Sequence, residues 1–116
     1  MEDYNKVIVV DFDDTLCIHQ TVEKSDIMQG MPNMKLINKL NKLYSDGYKI
    51  LIYTARGHIS CKNRAEADNK YRPIIKTWLR RYDVKFTTLS FDKPMAYLYI
   101  DDKAITPEEF ISRRGI

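Results

Sequence analysis

The chain has 116 residues, 44% hydrophobic and 30% charged, with a formal net charge of +3. That is the size of one compact domain able to bury its own core, which excludes a disordered tail, a collagen-like repeat and a disulfide scaffold. The longest apolar run, Met95 to Ile100, covers six residues, against the roughly 20 a membrane-spanning helix needs, so no membrane partner is expected.

The opening Met1 to Lys6 is acidic and leads into only four apolar residues, which does not read as a secretory signal. Cys17 and Cys61 read as reduced thiols, so the expected location is cytoplasmic. Lys6 to Val10 is continuous in Val and Ile and ends at Asp11, the pattern of a short strand buried on both faces. Residues 16 to 33 separate the first motif strand from the first helix. From Met34, Leu36, Leu40, Leu43 and Tyr44 recur at helical spacing, and Gly47 stands where that helix should stop. Tyr48 to Tyr53 reads as a second buried strand, ending at Thr54. Ala65 to Tyr82 reads as helical with Tyr71, Ile74, Ile75, Trp78 and Leu79 inward, kinked or divided at Pro73. Val84 to Phe86 and Thr88 to Phe91 are strand-like, and Ala96 to Ile100 reads as a buried strand ending at Asp101. Thr106-Pro107-Glu108-Glu109 starts a last helix, with Thr106 as cap, Pro107 first and Glu109 completing a capping box. Strands apolar throughout, alternating with helices, indicate one α/β domain over residues 1–116 with a mainly parallel, covered sheet.

Charge is uneven. Residues 1 to 47 hold five bases and eight acids, whereas residues 56 to 81 hold eight bases and two acids. The basic run is either a solvated helix face or a surface for an anionic ligand.

In an open α/β sheet, ligands bind beyond the carboxyl ends of the strands. Those ends hold Asp11 with Asp13 and Thr15, then Thr54, Lys93 shortly before the last strand, and Asp101-Asp102. Carboxylates crowded together repel unless a cation lies among them, and hard oxygen donors suit Mg²⁺ sharing its shell with a phosphate. A hydroxyl and an ammonium beside it suit the phosphate oxygens. The constellation points to phosphoryl transfer.

Val9-Val10-Asp11-Phe12-Asp13-Asp14-Thr15-Leu16 resembles the first motif of the haloacid dehalogenase (HAD) superfamily of phosphohydrolases, Asp-x-Asp-x-Thr after a hydrophobic strand. Leu51-Ile52-Tyr53-Thr54 is similar to its second motif, Lys93 to its third and Tyr99-Ile100-Asp101-Asp102 to its fourth. The resemblance implies a three-layer sandwich with a Rossmann-like, mainly parallel sheet, a small flap after the first strand and no cap domain. It implies Asp11 as nucleophile and Asp13 as acid and then base, with Thr54 and Lys93 on the phosphate oxygens. Mg²⁺ would be held by the Asp11 carboxylate, the Asp13 backbone carbonyl and Asp101, with Asp102 orienting that shell. The chain must leave regular strand geometry between Asp11 and Asp13 to bring both to one site. Asp14 replaces the Gly or Asn often found there in the family.

Arg56, close to Thr54, is suited to grip a second anionic group. His19 and His58 are each placed where they could touch substrate but read first as surface histidines, and the aromatic residues of the long helix read as core. Tyr53-Thr54-Ala55-Arg56, Lys93-Pro94 and Tyr99 to Ala104 look similar to small phosphatases of capsular polysaccharide biosynthesis, which implies a sugar phosphate as substrate. The expected partner is therefore a small phosphorylated metabolite, with the missing cap supplied by a second subunit of a homo-oligomer or by the substrate itself. Beside a catalytically idle binding domain, against which the two intact motif aspartates argue, two alternatives stand. One is a polynucleotide 3′-phosphatase that uses the basic segment along a nucleic-acid backbone. The other is a non-catalytic receiver-like domain, whose phospho-accepting Asp would, however, end a mid-chain strand.

Overall fold

The computed structural model describes residues 6–19, 26–56, 61–92, 97–100 and 105–113. In chain order the elements are β1 (Val7–Asp11), β2 (Cys17–Ile18), a 3-10 turn (Ile27–Gln29), β3 (Met31–Pro32), α1 (Met34–Ser45) and β4 (Lys49–Tyr53). They continue with α2 (Arg64–Arg81), β5 (Thr88–Ser90), β6 (Leu98–Ile100) and α3 (Pro107–Ser112).

β5, β4, β1 and β6 pair in that order into one parallel sheet, and β2 and β3 form a separate antiparallel ribbon. This is the expected α/β sandwich, a mainly parallel sheet flanked by helices. The register aligns Val10 with Ile52 on one side and with Ile100 on the other. Ile8, Val10, Ile50, Ile52, Leu89 and Ile100 join Leu36, Ile37 and Leu40 of α1, Ile75, Trp78 and Leu79 of α2 and Phe110 of α3 in one buried core. Val7 and Val9, whose side chains alternate to the other face, are buried too, as the unbroken apolar run of β1 requires. The flap expected after the first strand is the β2–β3 ribbon with its 3-10 turn. No helix of the described residues is long and apolar enough to cross a membrane.

Each helix begins on a side chain that accepts from an otherwise orphaned backbone N–H. Asn33 Oδ1 accepts from Leu36 N at 3.3 Å, Asn63 Oδ1 from Glu66 N at 2.9 Å and Thr106 Oγ1 from Glu109 N at 3.2 Å. Pro107 occupies the first turn of α3, as read from the sequence. α1 stops at Gly47, whose φ of +98° is the left-handed conformation that glycine adopts without a Cβ penalty. Lys39 of α1 donates to the carbonyls of Phe110 and Arg113, supplying acceptors at the end of α3 with a cation. Burial, with Arg113 nearby, lowers the pKa of that ammonium.

Three local expectations are corrected. α2 runs unbroken through Pro73: the ring sits on an exposed face, where the carbonyl it leaves unbonded can face water. Ile74 and Tyr44 are exposed, at 39% and 40%, because the inward stripes follow Ala67, Ile75, Trp78 and Leu79 in α2 and Leu36, Ile37, Leu40 and Leu43 in α1. Val84 to Phe86 is not a strand. Asp83 turns the chain at φ +52°, and the amides that follow are taken outside any sheet, Val84 N by Leu79 O of α2 at 3.0 Å and Lys85 N by Asn41 Oδ1 of α1 at 2.8 Å.

Candidate active site

Numbered among themselves in sequence order, the four sheet strands lie 3-2-1-4. The order reverses between β1 and β6, and in open α/β sheets the crevice at such a reversal is where ligands bind. Asp11 ends β1 there, and Ile100, aligned with Val10, is the last residue before Asp101 in the sequence. Lys93, Asp101, Asp102 and His58 lie outside the described residues.

Immediately after Asp11 the chain abandons the strand. Phe12 N donates to Tyr53 O and to Asp11 Oδ1, both at 3.0 Å. Phe12 O then accepts from Leu16 N at 3.1 Å and Cys17 N at 2.9 Å, closing a tight loop. Asp14 adopts φ +60° within it, a conformation open to Gly, Asn and Asp but costly for most side chains. Phe12 itself is fully buried, edge-on to Trp78 with ring centroids 5.2 Å apart. The loop thus hangs on a core aromatic, with half-buried Asp11 and Asp13 on either side of it. Thr15 is buried, and its carbonyl accepts from Asn33 Nδ2 at 3.3 Å, fastening the loop to the start of α1.

β4 brings the second group. Thr54 is fully buried, and its Oγ1 accepts from Arg56 N at 3.0 Å, a local turn that a hydroxyl at this spacing makes. The turn sends the Arg56 guanidinium to Asp13: Nε donates to Oδ2 at 3.3 Å and Nη2 to Oδ1 at 2.5 Å. Arg56 also lies 5.7 Å from the centroid of the Tyr71 ring on α2. The structure therefore brings Asp11, Asp13, Thr15, Thr54 and Arg56 to one end of the sheet.

His19 is not the surface residue that the sequence suggests. Its side chain is only 4% exposed, with Nε2 at 2.9 Å from Asp13 Oδ1 and 3.4 Å from Arg56 Nη2. The spacing Asp13 to His19 belongs to no regular element, so only closure of the flap ribbon shows the contact. Cys17 stands beside this cluster, its Sγ 3.9 Å from His19 Nε2. Burial pushes its thiol up to about 12, with Asp13 adding to the effect, Arg56 opposing it and Asp14 adding further. A thiol held protonated in this way is no nucleophile.

No group of three or more His, Cys, Asp or Glu side chains able to hold a metal occurs among the described residues. The donors they do supply are hard oxygens, the kind Mg²⁺ takes. The Asp13 carboxylate is occupied by Arg56 and His19. The oxygen donors of Asp11 and Asp13 are of the type that Mg²⁺ takes, and Asp101 lies outside the described residues. Two surface grooves, of about 610 and 360 Å³, are lined in part by Tyr48 and Phe86. These residues precede β4 and β5, so the grooves lie at the amino ends of those strands, away from this site.

No protein-family model and no curated protein matches the chain. Among solved structures it is similar to the crystal structure of an MCSG target from Vibrio cholerae, at 32% identity and a TM-score of 0.74, over 93% of this chain and 89% of that one.

Proposed function

We propose that this chain, which belongs to the same family as that Vibrio cholerae protein, is a Mg²⁺-dependent HAD-type phosphohydrolase acting on a small phosphomonoester through an aspartyl-phosphate on Asp11. One observation carries the reading. Asp11 and Asp13 flank a single buried Phe12 at the sheet's switch point, and Arg56, its amide on Thr54 at the neighbouring strand end, places its guanidinium on Asp13.

Each residue has a part that follows from its surroundings. The Asp11 carboxylate forms the new bond to phosphorus as the ester P–O bond breaks, and the departing oxygen takes a proton from Asp13. Asp13, now ionised, accepts a proton from water, which attacks phosphorus, releases inorganic phosphate and restores the Asp11 carboxylate. Thr54 Oγ1 already accepts from Arg56 N, so its own O–H is left to donate to a phosphate oxygen. Arg56 holds Asp13 across both oxygens. Bound Mg²⁺, on the Asp11 carboxylate, the Asp13 carbonyl and Asp101, would offset the negative charge of the phosphoryl group. Lys93 enters by resemblance alone, as does a sugar phosphate as substrate.

The alternatives draw less support. A receiver-type doubly wound sheet has the order 2-1-3-4-5, not the 3-2-1-4 found here. The basic segment does not form one track towards the site. Arg64 pairs with Asp92 and Arg72 with Asp68, and Lys76 and Arg80 line the groove beside Phe86 at the far end of the sheet.

The test is hydrolysis of para-nitrophenyl phosphate, then of a panel of sugar phosphates, nucleotides and end-phosphorylated oligonucleotides, each with Mg²⁺ or with EDTA. Turnover should need Mg²⁺ and should be abolished by Asp11→Asn. Full turnover by Asp11→Asn would refute the mechanism, and reaction of oligonucleotides alone would replace the substrate class.

A further inference from the structure

The reaction written above makes no use of His19, yet the flap delivers it to the oxygen that Arg56 also grips. We propose that His19 is a positioning residue for Asp13, so that the β2–β3 ribbon is part of the reacting centre rather than a cover over it. The inference rests on the reading of Asp13 as the acid and base.

The geometry is specific. Among the described residues Asp13 Oδ1 takes two donors, His19 Nε2 at 2.9 Å and Arg56 Nη2 at 2.5 Å, whereas Oδ2 takes one, Arg56 Nε, at 3.3 Å. An ionised carboxylate offers about four acceptor sites over its two oxygens. Oδ1 is therefore engaged on both of its lone pairs, and Oδ2 keeps capacity towards a substrate oxygen or a water. Asp χ2 is a broad torsion with no strong intrinsic preference, and a single guanidinium can tilt with the carboxylate. A second donor from a different element removes that freedom. His19 comes from the flap and Arg56 from the loop after β4, so the two approach from separate parts of the fold.

The flap is built to bring the ring this close. Gly30, just before β3 and beside His19 at the same end of the antiparallel ribbon, has an ordinary extended backbone, φ −68° and ψ 141°, which any residue can adopt. What it provides is space: a Cβ there would lie 2.1 Å from Cys17 Sγ and 3.4 Å from His19 Cε1. The Gly30 carbonyl accepts from Trp78 Nε1 at 3.0 Å. Trp78 is the residue on which Phe12 packs. One buried indole thus anchors both the loop that carries Asp13 and the ribbon that carries His19, fixing their separation. Placement errors of about 1 Å in a reacting group cost up to roughly a hundredfold in rate, so an anchor shared by both sides has a kinetic consequence.

The experiment compares wild type, His19→Ala and His19→Gln, the last keeping an N–H near the position of Nε2. Steady-state kinetics on the phosphomonoester that the wild type hydrolyses are read beside the NMR signal and exchange rate of the Arg56 Nε–H. His19→Ala should lower kcat about tenfold or more with KM within about twofold, and should speed exchange of the Arg56 Nε–H. His19→Gln should recover most of both. Should His19→Ala not fold, His19→Leu, which keeps bulk without a donor, takes its place. A kcat within about twofold of wild type for the donorless variant, or a Gln variant no better than it, overturns the proposal. If the wild type hydrolyses no phosphoester, the resonance decides. An Arg56 signal unchanged by loss of the imidazole refutes the positioning, and a changed one supports it while the hydrolase reading alone falls.

Discussion

The Arg56 guanidinium holds both oxygens of the Asp13 carboxylate, reaching across 43 residues of sequence to do so. The pair joins the loop after β1 to the loop after β4. With Arg56 N on Thr54 Oγ1, a single residue connects the two strand ends that carry the first two groups of site residues.

Arg56→Ala should therefore cost both order and stability. Two hydrogen bonds to a charged group are lost, and a carboxylate whose side chain is 21% exposed is left with His19 alone. A loss of about 1–2 kcal/mol is expected, towards the low side because water reaches Asp13. Arg56→Lys should recover little of it, since an ammonium cannot span both oxygens. Urea denaturation of the two variants against wild type measures this, and a Lys variant as stable as wild type would refute the two-oxygen grip.

Gly30→Ala should destabilise the flap by about 1–3 kcal/mol through overpacking against Cys17. The same change made on Cys17→Ala should cost less, because the sulfur it strikes is gone. Some penalty should persist, since the Ile27 carbonyl lies 3.2 Å from the added carbon. A double-mutant cycle gives the coupling, expected at about 1 kcal/mol in favour of the double variant. A strictly additive cycle would mean that the backbone shifts to accommodate the methyl.

Cys17 predicts a pH dependence. Its folded pKa is raised from near 9 to about 12, chiefly by burial. The folded state thus keeps a proton that the unfolded state gives up. The contribution is complete below about 9 and is lost as pH climbs towards 12, so stability should fall across that window, by at most about 1.4 kcal/mol per pH unit from this group. Cys17→Ala should flatten that part of the stability curve between pH 9 and pH 11. At pH 8 the folded protein should leave Cys17 unalkylated by iodoacetamide while the urea-unfolded chain reacts. Equal rates in the two states would contradict the burial.

Much of the fold was legible because local patterns encode it directly. The Val and Ile run before Asp11, the apolar spacing from Leu36 to Leu43, Gly47, and Thr106 with Pro107 each act within a few residues of themselves, and each element formed where its pattern lies. The errors fell where a neighbour decides. Val84 to Phe86 has strand-like composition, but Asn41, more than 40 residues away, takes an amide there. Ile74 differs from its buried neighbour Ile75 only by about 100° of helical phase. The candidate site divides in the same way. Asp11, Asp13, Thr54 and Arg56 are readable because strand ends in a parallel sheet converge on one edge. His19 is not, because its contact depends on the closure of the flap.

Apart from Val84 to Phe86, the sequence alone determined the element types, the parallel sheet and the set of carboxylate, hydroxyl and guanidinium groups at its carboxyl edge, since hydrophobic periodicity and strand direction are properties of short segments. Tertiary structure decided which donor meets which oxygen. Arg56 and His19 share Asp13 because Phe12 and Gly30 both rest on Trp78. Contacts of that kind depend on packing between segments distant in the chain, and no local pattern carries them.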